Sequence, residues 1–403
     1  MRKSVFSLVG VAALGYFVDI FDLALFGIVR VQSLKDLGIP DEDLLSVGVR
    51  LLNAQMLGLL FGGIIWGVLG DKLGRLKVLF GSILLYSVSN LANAWVTSAE
   101  AYAYLRFIAG LGLAGELGAA ITLVAETLPK EKRGYGTAVV AGVGLSGAVA
   151  AGTLSEWISW RTTYAIGGTL GLLLLFLRFK VSESTLFTQI KASDEISRGN
   201  PLLFLFAPKR LVRYLSCILI AVPIWYCAGI LMTFAPEIGR ELKAQETLSA
   251  GRAILFSYIG VSIGDVLSGI LSQLFKSRKK IIGWCLVLEA LIASIILTSS
   301  TVSPPLFYFL AFVIGLATGY WAIFVTITSE HFGTNLRSTA TTSAPNFVRA
   351  SVVPMTYTLT WLKPTLGLLP SVALIGAVVF VLAGISLFFL EETFSKDLNY
   401  VET

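Results

Sequence analysis

The sequence predicts an all-α membrane protein with twelve transmembrane helices in two pseudo-symmetric six-helix bundles. Three observations lead to this fold class. The 403-residue chain is 55% hydrophobic and only 14% charged, with a mean hydropathy of +0.80, which is too apolar for a soluble protein. Its apolar residues form twelve runs separated by short polar turns. Two blocks of the first half also recur in the second half.

Each apolar run is long enough for one spanning helix, because a bilayer core about 30 Å thick needs roughly 20 apolar residues. The runs begin near residues 8, 49, 78, 101, 135, 160, 211, 250, 280, 305, 338 and 366. The first run follows Arg2 and Lys3, as in a secretory signal peptide. It carries two aspartates and continues too far for such a peptide, so we interpret it as a retained first helix.

Two further patterns concern the helix interiors. Pro223, Pro345 and Pro354 are expected to interrupt helices 7 and 11 and to allow bending there. GLGLAG (110–115) fits a dinucleotide-binding pattern, but it lies inside an apolar helix with no preceding strand. The dinucleotide interpretation is therefore rejected.

The basic residues predict the orientation of the chain. Most of the 31 lysines and arginines fall on one side, in turns such as those around Lys72, Lys130 and Lys279. This positive-inside bias places both termini in the cytoplasm. The net charge of +6 therefore reflects topology and indicates no nucleic-acid partner. We expect a monomeric multi-pass protein of the bacterial inner membrane, in contact with the lipid bilayer and a small-molecule substrate.

The internal repeat consists of two separate blocks. RLLNAQMLGLLFGGIIWG (50–67) aligns without gaps with RAILFSYIGVSIGDVLSG (252–269). ETLPKEKRGYGTA (126–138) aligns with EHFGTNLRSTATT (330–342) at nearly the same offset. Two blocks at one offset indicate two bundles of the same topology.

The repeat predicts an N-terminal bundle over residues 1–180 and a C-terminal bundle over residues 209–403, joined by a cytoplasmic linker at 181–208. Two such bundles can rock around a central site and expose it to either side in turn. Glycines at four-residue spacing in each copy should let helices approach closely in lipid. These glycines are Gly58, Gly62, Gly260 and Gly264.

Several motifs resemble those of the major facilitator superfamily. GVLGDKLGRLKVL (67–79) looks like the superfamily's GxLaDrxGrr loop after helix 2, and GILSQLFKSRKK (269–280) is a degraded copy. YLRFIAGLGLAGELG (104–118) resembles its helix-4 pattern. ETFSKDLNY (392–400) is similar to the tail after helix 12 in the metabolite–proton symporter branch. The resemblance covers the whole chain.

The resemblance implies a cytoplasmic gate built from charged residues in the two repeated turns. A few partly exposed ion pairs would make a latch weak enough to open in every cycle. The alternative is that these basic residues only set the topology. The predicted gate residues are Gly67, Asp71, Gly74, Arg75, Glu126, Arg133, Glu330 and Arg337.

Helix 1 carries two carboxylates inside its apolar run. Asp19 lies about 16 Å into the helix at 1.5 Å per residue, which is close to the bilayer midplane. Asp22 follows three residues later, so both carboxylates are expected to face one side. A charge at that depth costs roughly 3 kcal/mol, which is tolerable only beside water or an opposite charge. Arg349, at a similar depth on helix 11, is the candidate for that charge.

These residues suggest a transport mechanism. Burial favours the neutral form of an acid, so Asp19 or Asp22 could take up a proton outside and release it inside; Glu116 is a further candidate for proton coupling. Arg349 offers a bidentate fork to an anionic group of the substrate. The alternative is an Asp–Arg pair that only locks the two halves together.

Other candidates for substrate binding lie on helices that, in the superfamily, line or flank the cavity. Aromatic residues at such positions are as often packing residues. These candidates are Asn53, Gln55, Arg106, Trp225, Tyr226, Asp265, Tyr320 and Asn346. Glu289 is interpreted as structural, because helix 9 supports the cavity from outside in the superfamily.

Together, these features predict a secondary active transporter that imports a small organic anion or zwitterionic metabolite with protons. The alternative is a proton-driven antiporter that exports drug-like or amphipathic compounds. Helix 5 reads GVGLSGAVAAG (142–152) and lacks the proline usual in the superfamily's antiporters, which favours import. A receptor or scaffold would not need charges at the midplane. The sequence holds no GxSxG, HExxH, P-loop or CxxC motif, so we expect no enzyme, metal site or cofactor. The buried acids of helix 1 make H+ the expected coupling ion.

Overall fold

The computed structural model describes residues 2–73, 75–116, 130–178 and 207–394. The chain is helical along most of these ranges. Helices are expected here, because a bilayer offers no water to the backbone and every N–H and C=O group must find its partner within the protein.

Six helices make up the described part of the N-terminal half. They are α1 (Arg2–Asp36), α2 (Leu44–Leu73), α3 (Arg75–Asn93), α4 (Ala99–Leu113), α5 (Lys130–Ser155) and α6 (Trp160–Arg178). Each begins within six residues of its predicted start. The start of α4 is fixed by Ser98, whose hydroxyl accepts a hydrogen bond from the Ala101 N–H at 3.2 Å.

Among the described residues, the C-terminal half shows more helices than the N-terminal half, because some of its spans are broken. They are α7 (Pro208–Leu219), α8 (Val222–Tyr226), a π-helix (Cys227–Met232), α9 (Ala235–Glu241), α10 (Ala250–Leu274), α11 (Arg278–Thr298), α12 (Pro304–Thr318), α13 (Trp321–His331), α14 (Thr334–Ala350), α15 (Val352–Leu366) and α16 (Leu368–Phe389). Within the described ranges, eight helical stretches are long and apolar enough to cross a membrane, Pro208–Met232 and Pro304–His331 among them.

The predicted proline interruptions are partly observed. Pro223 lies in the first turn of α8 and Pro354 in the first turn of α15, each directly after a break in its span. A proline is tolerated in a first helical turn, where its missing N–H has no partner to lose. Pro345 lies inside α14 without ending it. The break between α12 and α13 at Gly319–Tyr320 was not predicted, because no proline marks it.

Close helix pairs repeat in both halves, as the paired glycines suggested. A Cβ on Gly58 would lie 2.1 Å from the Phe107 carbonyl oxygen, and a Cβ on Gly260 would lie 2.2 Å from that of Phe312. One helical turn further on, a Cβ on Gly62 would lie 2.3 Å from the Leu111 carbonyl oxygen. A Cβ on Gly264 would lie 2.2 Å from the Leu316 carbonyl oxygen. Helices α2 and α4 therefore pack backbone to backbone as α10 and α12 do.

The two halves meet along several pairs of helices. Helix α2 packs on α14 and contacts α15, α5 packs on α10, and α1 also contacts α10. The interface thus brings the polar residues of α1 and α2 next to those of α14 and α15. The candidate site lies at this junction.

Candidate functional site

The two acids of α1 are fully buried, but they have different surroundings. Asp19 faces Arg349 of the other half, whereas Asp22 faces Gly167 and Arg106 of its own half. The expectation that both carboxylates face one side is corrected accordingly. Three residues on an α-helix differ by about 60° in direction, and α1 lies at the boundary of the halves, where that angle separates two environments.

Arg349 is a buried cation where the two halves meet. Its Nη2 lies 3.9 Å from Asp19 Oδ2, and its Nη1 donates to Asn346 Oδ1 at 3.3 Å. A separation of 3.9 Å is too long for a hydrogen bond, so the charges attract without a directional contact. The Nε of Arg349 has no acceptor among the described residues. The guanidinium therefore keeps donors for an anionic ligand.

Aromatic side chains surround this pair of charges. The guanidinium carbon of Arg349 lies 5.7 Å from the centre of the Trp321 ring, within range of a cation–π contact. Tyr16 and Tyr258 interact electrostatically with both Arg349 and Asp19. Neither tyrosine was among the residues predicted from the sequence. Tyr16 could have been found, because it precedes Asp19 by three residues and so lies near the same helix face.

Asn346 positions Arg349 and joins the halves. Its Nδ2 donates to the carbonyl oxygen of Ala114, at the end of α4, at 3.1 Å, and to that of Thr342 at 3.0 Å. Gly63 of α2 leaves the space for this side chain, since a Cβ there would lie 2.8 Å from Asn346 Nδ2. The amide oxygen is thereby directed toward Arg349. A contact of Asn346 with substrate stays a prediction.

Asp22 lies in a separate, partly polar pocket of the N-terminal half. Neither of its carboxylate oxygens makes a hydrogen bond of regular geometry within the described part of the chain, and the Asn90 side chain lies close to them. Arg106 donates from Nη1 to Asn90 Oδ1 at 3.0 Å, and its Nη2 lies 3.5 Å from the Asp22 carbonyl oxygen. The guanidinium also lies over the Tyr164 ring, at 5.4 Å. A nearby cation and no regular hydrogen bond are conditions under which a carboxyl group can gain or lose a proton.

Asn53 and Gln55 of α2 are both buried near the junction of the halves. Thr356 of α15 donates to Asn53 Oδ1 at 2.7 Å, which is another contact between the halves. Gln55 Nε2 donates to the Leu23 carbonyl oxygen at 3.4 Å. Substrate binding by either residue stays a prediction.

Two tyrosines predicted to bind substrate use their hydroxyl groups inside the C-terminal half. Tyr226 donates to the Val372 carbonyl oxygen of α16 at 3.0 Å. Tyr320 donates to the Ile220 carbonyl oxygen at 2.9 Å and so connects the breaks of two spans. The Tyr320 bond satisfies a main-chain oxygen at the break between α7 and α8, and the Tyr226 bond ties α8 to α16. The geometry therefore favours structural roles for both tyrosines over substrate binding.

Asp265 occupies the position in the second repeat that corresponds to Gly63. Its Oδ1 accepts a hydrogen bond from the Ala322 N–H at 2.8 Å. The carboxylate thus satisfies a free donor at the start of α13, where a negative charge is also favoured by the helix dipole. This contact favours a capping role over the predicted contact with substrate.

Trp225 is buried on α8. Its predicted contact with substrate stays a prediction.

The end of the C-terminal half that the charge bias assigns to the cytoplasm carries a polar cluster. Glu330 pairs with Arg278 at 3.2 Å and accepts from the Thr393 hydroxyl at 2.5 Å. Glu392 accepts from the Arg278 N–H at 2.9 Å and from the Ser277 hydroxyl. Burial opposes ionisation of Glu392, but these donors prevail and lower its pKa below the usual value. Glu330 therefore tethers the chain after α16 to the start of α11.

The rest of the predicted gate cannot be placed in the same way. Gly67 lies in α2 beside open space, since a Cβ there would have no atom within 4 Å. Other predicted gate residues lie outside the described residues: all of Gly74 and Glu126, and the side chains of Asp71, Arg75, Arg133 and Arg337. Glu116, which was predicted for proton coupling and not for the gate, is buried at the end of a described range.

Arg30 is a buried residue that the sequence analysis missed. Its Nη2 forms an ion pair with Glu237 Oε2 at 2.7 Å and donates to the Thr233 carbonyl oxygen at 3.1 Å, both in the other half. Its Nη1 donates to the Leu44 carbonyl oxygen at 3.1 Å. Arg30 thus ties α1 and α2 to α9 at the end that the charge bias assigns to the outside. No local pattern could pair residues 207 positions apart.

Comparisons with known proteins agree with this architecture. The chain is 30% identical over 279 residues to the sialic acid transporter NanX of Escherichia coli (strain K12), covering 65% of this chain and 66% of the relative. It is 26% identical over 307 residues to the 3-(3-hydroxy-phenyl)propionate transporter of the same organism, covering 73% and 72%. Matches to several other curated relatives span less than half of their length.

The fold matches a solved structure over nearly the whole chain. A partially occluded, inward-open conformation of the xylose transporter XylE from E. coli superposes with a TM-score of 0.74 at 18% identity, covering 98% of this chain and 100% of that one. The family model described as Major Facilitator Superfamily matches residues 12–355. This multi-pass membrane protein therefore belongs to the major facilitator superfamily of transporters.

Proposed function

We propose that the chain imports a small organic anion together with protons by alternating access. The observation that carries this proposal is the separation of two buried sites. Arg349 holds spare donors beside Asp19 at the junction of the halves. Asp22 lies apart from that pair, next to Arg106. One site suits an anion and the other suits a proton.

The guanidinium of Arg349 supports a carboxylate as the anionic group. Its planar fork of donors matches the two oxygens of a carboxylate. The names of two relatives, a sialic acid transporter and a hydroxyphenylpropionate transporter, share this group. Asp19 attracts Arg349 only across 3.9 Å, so an incoming carboxylate can replace it as the nearest anion. A zwitterion also fits, because Asp19 can then pair with its ammonium group.

The aromatic side chains around Arg349 support a substrate with an apolar or ring-shaped body. Trp321 is buried under the guanidinium, and Tyr16 and Tyr258 come from the two facing halves. Aromatic faces bind rings and the apolar faces of sugars with little loss of conformational entropy. The substrate class we propose is therefore a small carboxylate with a flat or cyclic body.

Asp22 is the residue we propose to carry the coupling proton. Arg106 keeps the site positive and its donors are directed to Asn90 and to main chain, so it assists release of the proton without forming a fixed pair with the carboxylate. Glu116 remains a further candidate for coupling.

The conformation of the described residues supports an outer closure made by Arg30 and Glu237. Opening toward the outside requires this ion pair to separate, and the cytoplasmic charge network predicted around Asp71 and Arg75 would open in the opposite phase. Such an exchange of contacts between two gates is the structural requirement of alternating access.

Uptake by liposomes that contain the purified protein tests the proposal. The probes are 3-(3-hydroxyphenyl)propionate and sialic acid, offered outside under an imposed pH gradient that is acidic outside. We expect one of them to accumulate, and a protonophore to abolish that accumulation. Protein-free liposomes are the control. Export driven by the same gradient contradicts proton-coupled import of a carboxylate. Uptake of both probes at a rate independent of the pH gradient contradicts it as well.

A further inference from the structure

Glu289 is a buried acid that the proposed transport cycle does not use. It lies in α11 with no exposed surface, and neither of its carboxylate oxygens has a hydrogen-bond partner in the described part of the chain. A charged carboxylate in such a place costs several kcal/mol or more, and even a neutral one leaves its hydroxyl and carbonyl without contacts. The neutral form is therefore the one compatible with this conformation.

The titratable neighbours of Glu289 offer no opposite charge. Cys227 of the π-helix, Cys285 of α11 and Tyr320 at the break between α12 and α13 are within electrostatic range of it. Cysteine and tyrosine are ordinarily uncharged at neutral pH. Asp265 of α10 interacts with Cys285, and α16 contains no ionisable residue. Among the described residues, no cation is thus found within electrostatic range of Glu289.

Two irregular backbone segments lie beside the helix that carries this acid, since α11 contacts the π-helix, α12 and α13. Cys227 opens the π-helix at Cys227–Met232, and Tyr320 separates α12 from α13. Such segments carry main-chain groups that lack regular helical partners, and they are the places where spanning helices bend. When they rearrange, they can offer Glu289 the water or the hydrogen-bond partners that it lacks in the described conformation.

We propose that Glu289 is a second proton-binding site, located in the C-terminal half between the π-helix and the break that separates α12 from α13. It holds its proton while the outer closure is formed, and it releases that proton to water when the two irregular segments move. The ligand is a proton, and no covalent bond other than the carboxyl O–H forms or breaks. The proposal extends the proton-coupled transport proposed above, with Asp22 as the first site.

The first test detects the proton itself. Infrared spectra of the full chain in lipid vesicles at neutral pH should show the C=O band of a protonated carboxyl group that Glu289→Gln removes. Glu289→Asp should restore a shifted band, which separates loss of the acid from misfolding. Glu100→Gln changes an exposed acid that is paired with Arg50, and it should leave the band unchanged. A wild-type spectrum without a band sensitive to position 289 overturns the proposal.

The second test asks whether water reaches the site, and it uses Cys227 as a native reporter. The chain has three cysteines, so Cys217→Ala and Cys285→Ala leave Cys227 as the only thiol. Cys227 is 1% exposed in the described conformation. We expect a small, water-soluble methanethiosulfonate to label it slowly, and several-fold faster when Glu237→Gln weakens the outer closure.

The outcomes separate this inference from the proposed function. A protonated Glu289 beside a Cys227 that is never labelled, with or without Glu237→Gln, indicates a purely structural acid and overturns the inference. Neither readout needs a substrate. If proton-driven uptake fails, the infrared and labelling readouts therefore stay valid. If the infrared and labelling results are both negative, the proposed proton coupling through Asp22 is unaffected.

Discussion

At the scale of single residues, the buried charges fall into two kinds. Arg30 is committed through both of its Nη atoms, with one ion pair at 2.7 Å and two main-chain acceptors. Arg349 is less committed, because its carboxylate neighbour lies 3.9 Å away and its Nη1 donates to the Asn346 amide oxygen at 3.3 Å. The Nε of each arginine has no acceptor among the described residues. A committed arginine stabilises one conformation, whereas an uncommitted one is available to a ligand.

The first prediction concerns Arg349→Lys. Lysine keeps the charge but loses the planar fork, so affinity for the carboxylate substrate should fall by about tenfold to a hundredfold, the equivalent of one charge-assisted hydrogen bond. The concentration of carboxylate that half-saturates the ligand-induced rise in Tm measures this affinity. Arg50→Lys, at an exposed arginine, is the matched control and should leave it unchanged. An unaltered affinity in Arg349→Lys rules out the guanidinium as the anion site.

The second prediction concerns Glu237→Gln. This change leaves the buried Arg30 guanidinium without its carboxylate and should destabilise the outside-closed state by up to about 3 kcal/mol. Ser33 is fully buried and its hydroxyl donates to the Arg30 carbonyl oxygen at 3.1 Å. A cysteine placed there by Ser33→Cys in a cysteine-free chain should react with a maleimide faster in Glu237→Gln.

Glu100→Gln serves as the control for this measurement, since the Glu100–Arg50 pair is exposed and lies within one half. It should leave the labelling rate as in the parent chain. Equal rates in all three proteins show that the Arg30–Glu237 pair does not hold the outer side closed.

At the scale of helices, the two halves use the same device to bring backbones together. A Cβ on Gly110 would lie 2.2 Å from the Gln55 carbonyl oxygen. A Cβ on Gly315 would lie 2.1 Å from the Ser257 carbonyl oxygen. These contacts complement those of the paired glycines on α2 and α10. Lipid provides no hydrophobic drive for helix association, so close packing of small residues carries it.

A third prediction follows from this packing. Gly260→Ala places a Cβ 2.2 Å from the Phe312 carbonyl oxygen, so α10 and α12 must separate, at a cost of about 1–3 kcal/mol. Gly269, on the same helix, has no atom within 4 Å of a would-be Cβ. There alanine should stabilise the helix by up to about 1 kcal/mol. Thermal unfolding in detergent compares the two variants, and a shift of the same sign in both contradicts the packing argument.

The sequence predicted regular elements better than their irregularities. Helix starts were predictable because spans must be long and apolar, and because polar turns separate them. The break at Gly319–Tyr320 was not, because it depends on Asp265 and Tyr320 satisfying main-chain groups from neighbouring spans. The contacts of Arg30 with Glu237 and of Asn346 with Ala114 were equally hidden, since they require the docked arrangement of the two halves.

At the scale of the whole molecule, the candidate anion site lies where the two halves meet, whereas Asp22 lies inside one half. Asn346, which positions Arg349, also bonds to Ala114 of the N-terminal half. The movement of the halves that alternating access requires would therefore change the surroundings of Arg349 directly. This arrangement can couple substrate binding to conformational change, as secondary transport requires.

The central claim is that Asp22 links the proton to the substrate, and one comparison tests it most directly. Asp22→Asn keeps the size of the side chain and removes its proton exchange. In liposomes with an acidic exterior, this variant should lose gradient-driven accumulation of the carboxylate but retain exchange of labelled for unlabelled substrate across the membrane. Accumulation against a concentration gradient at the wild-type level in Asp22→Asn would contradict the account.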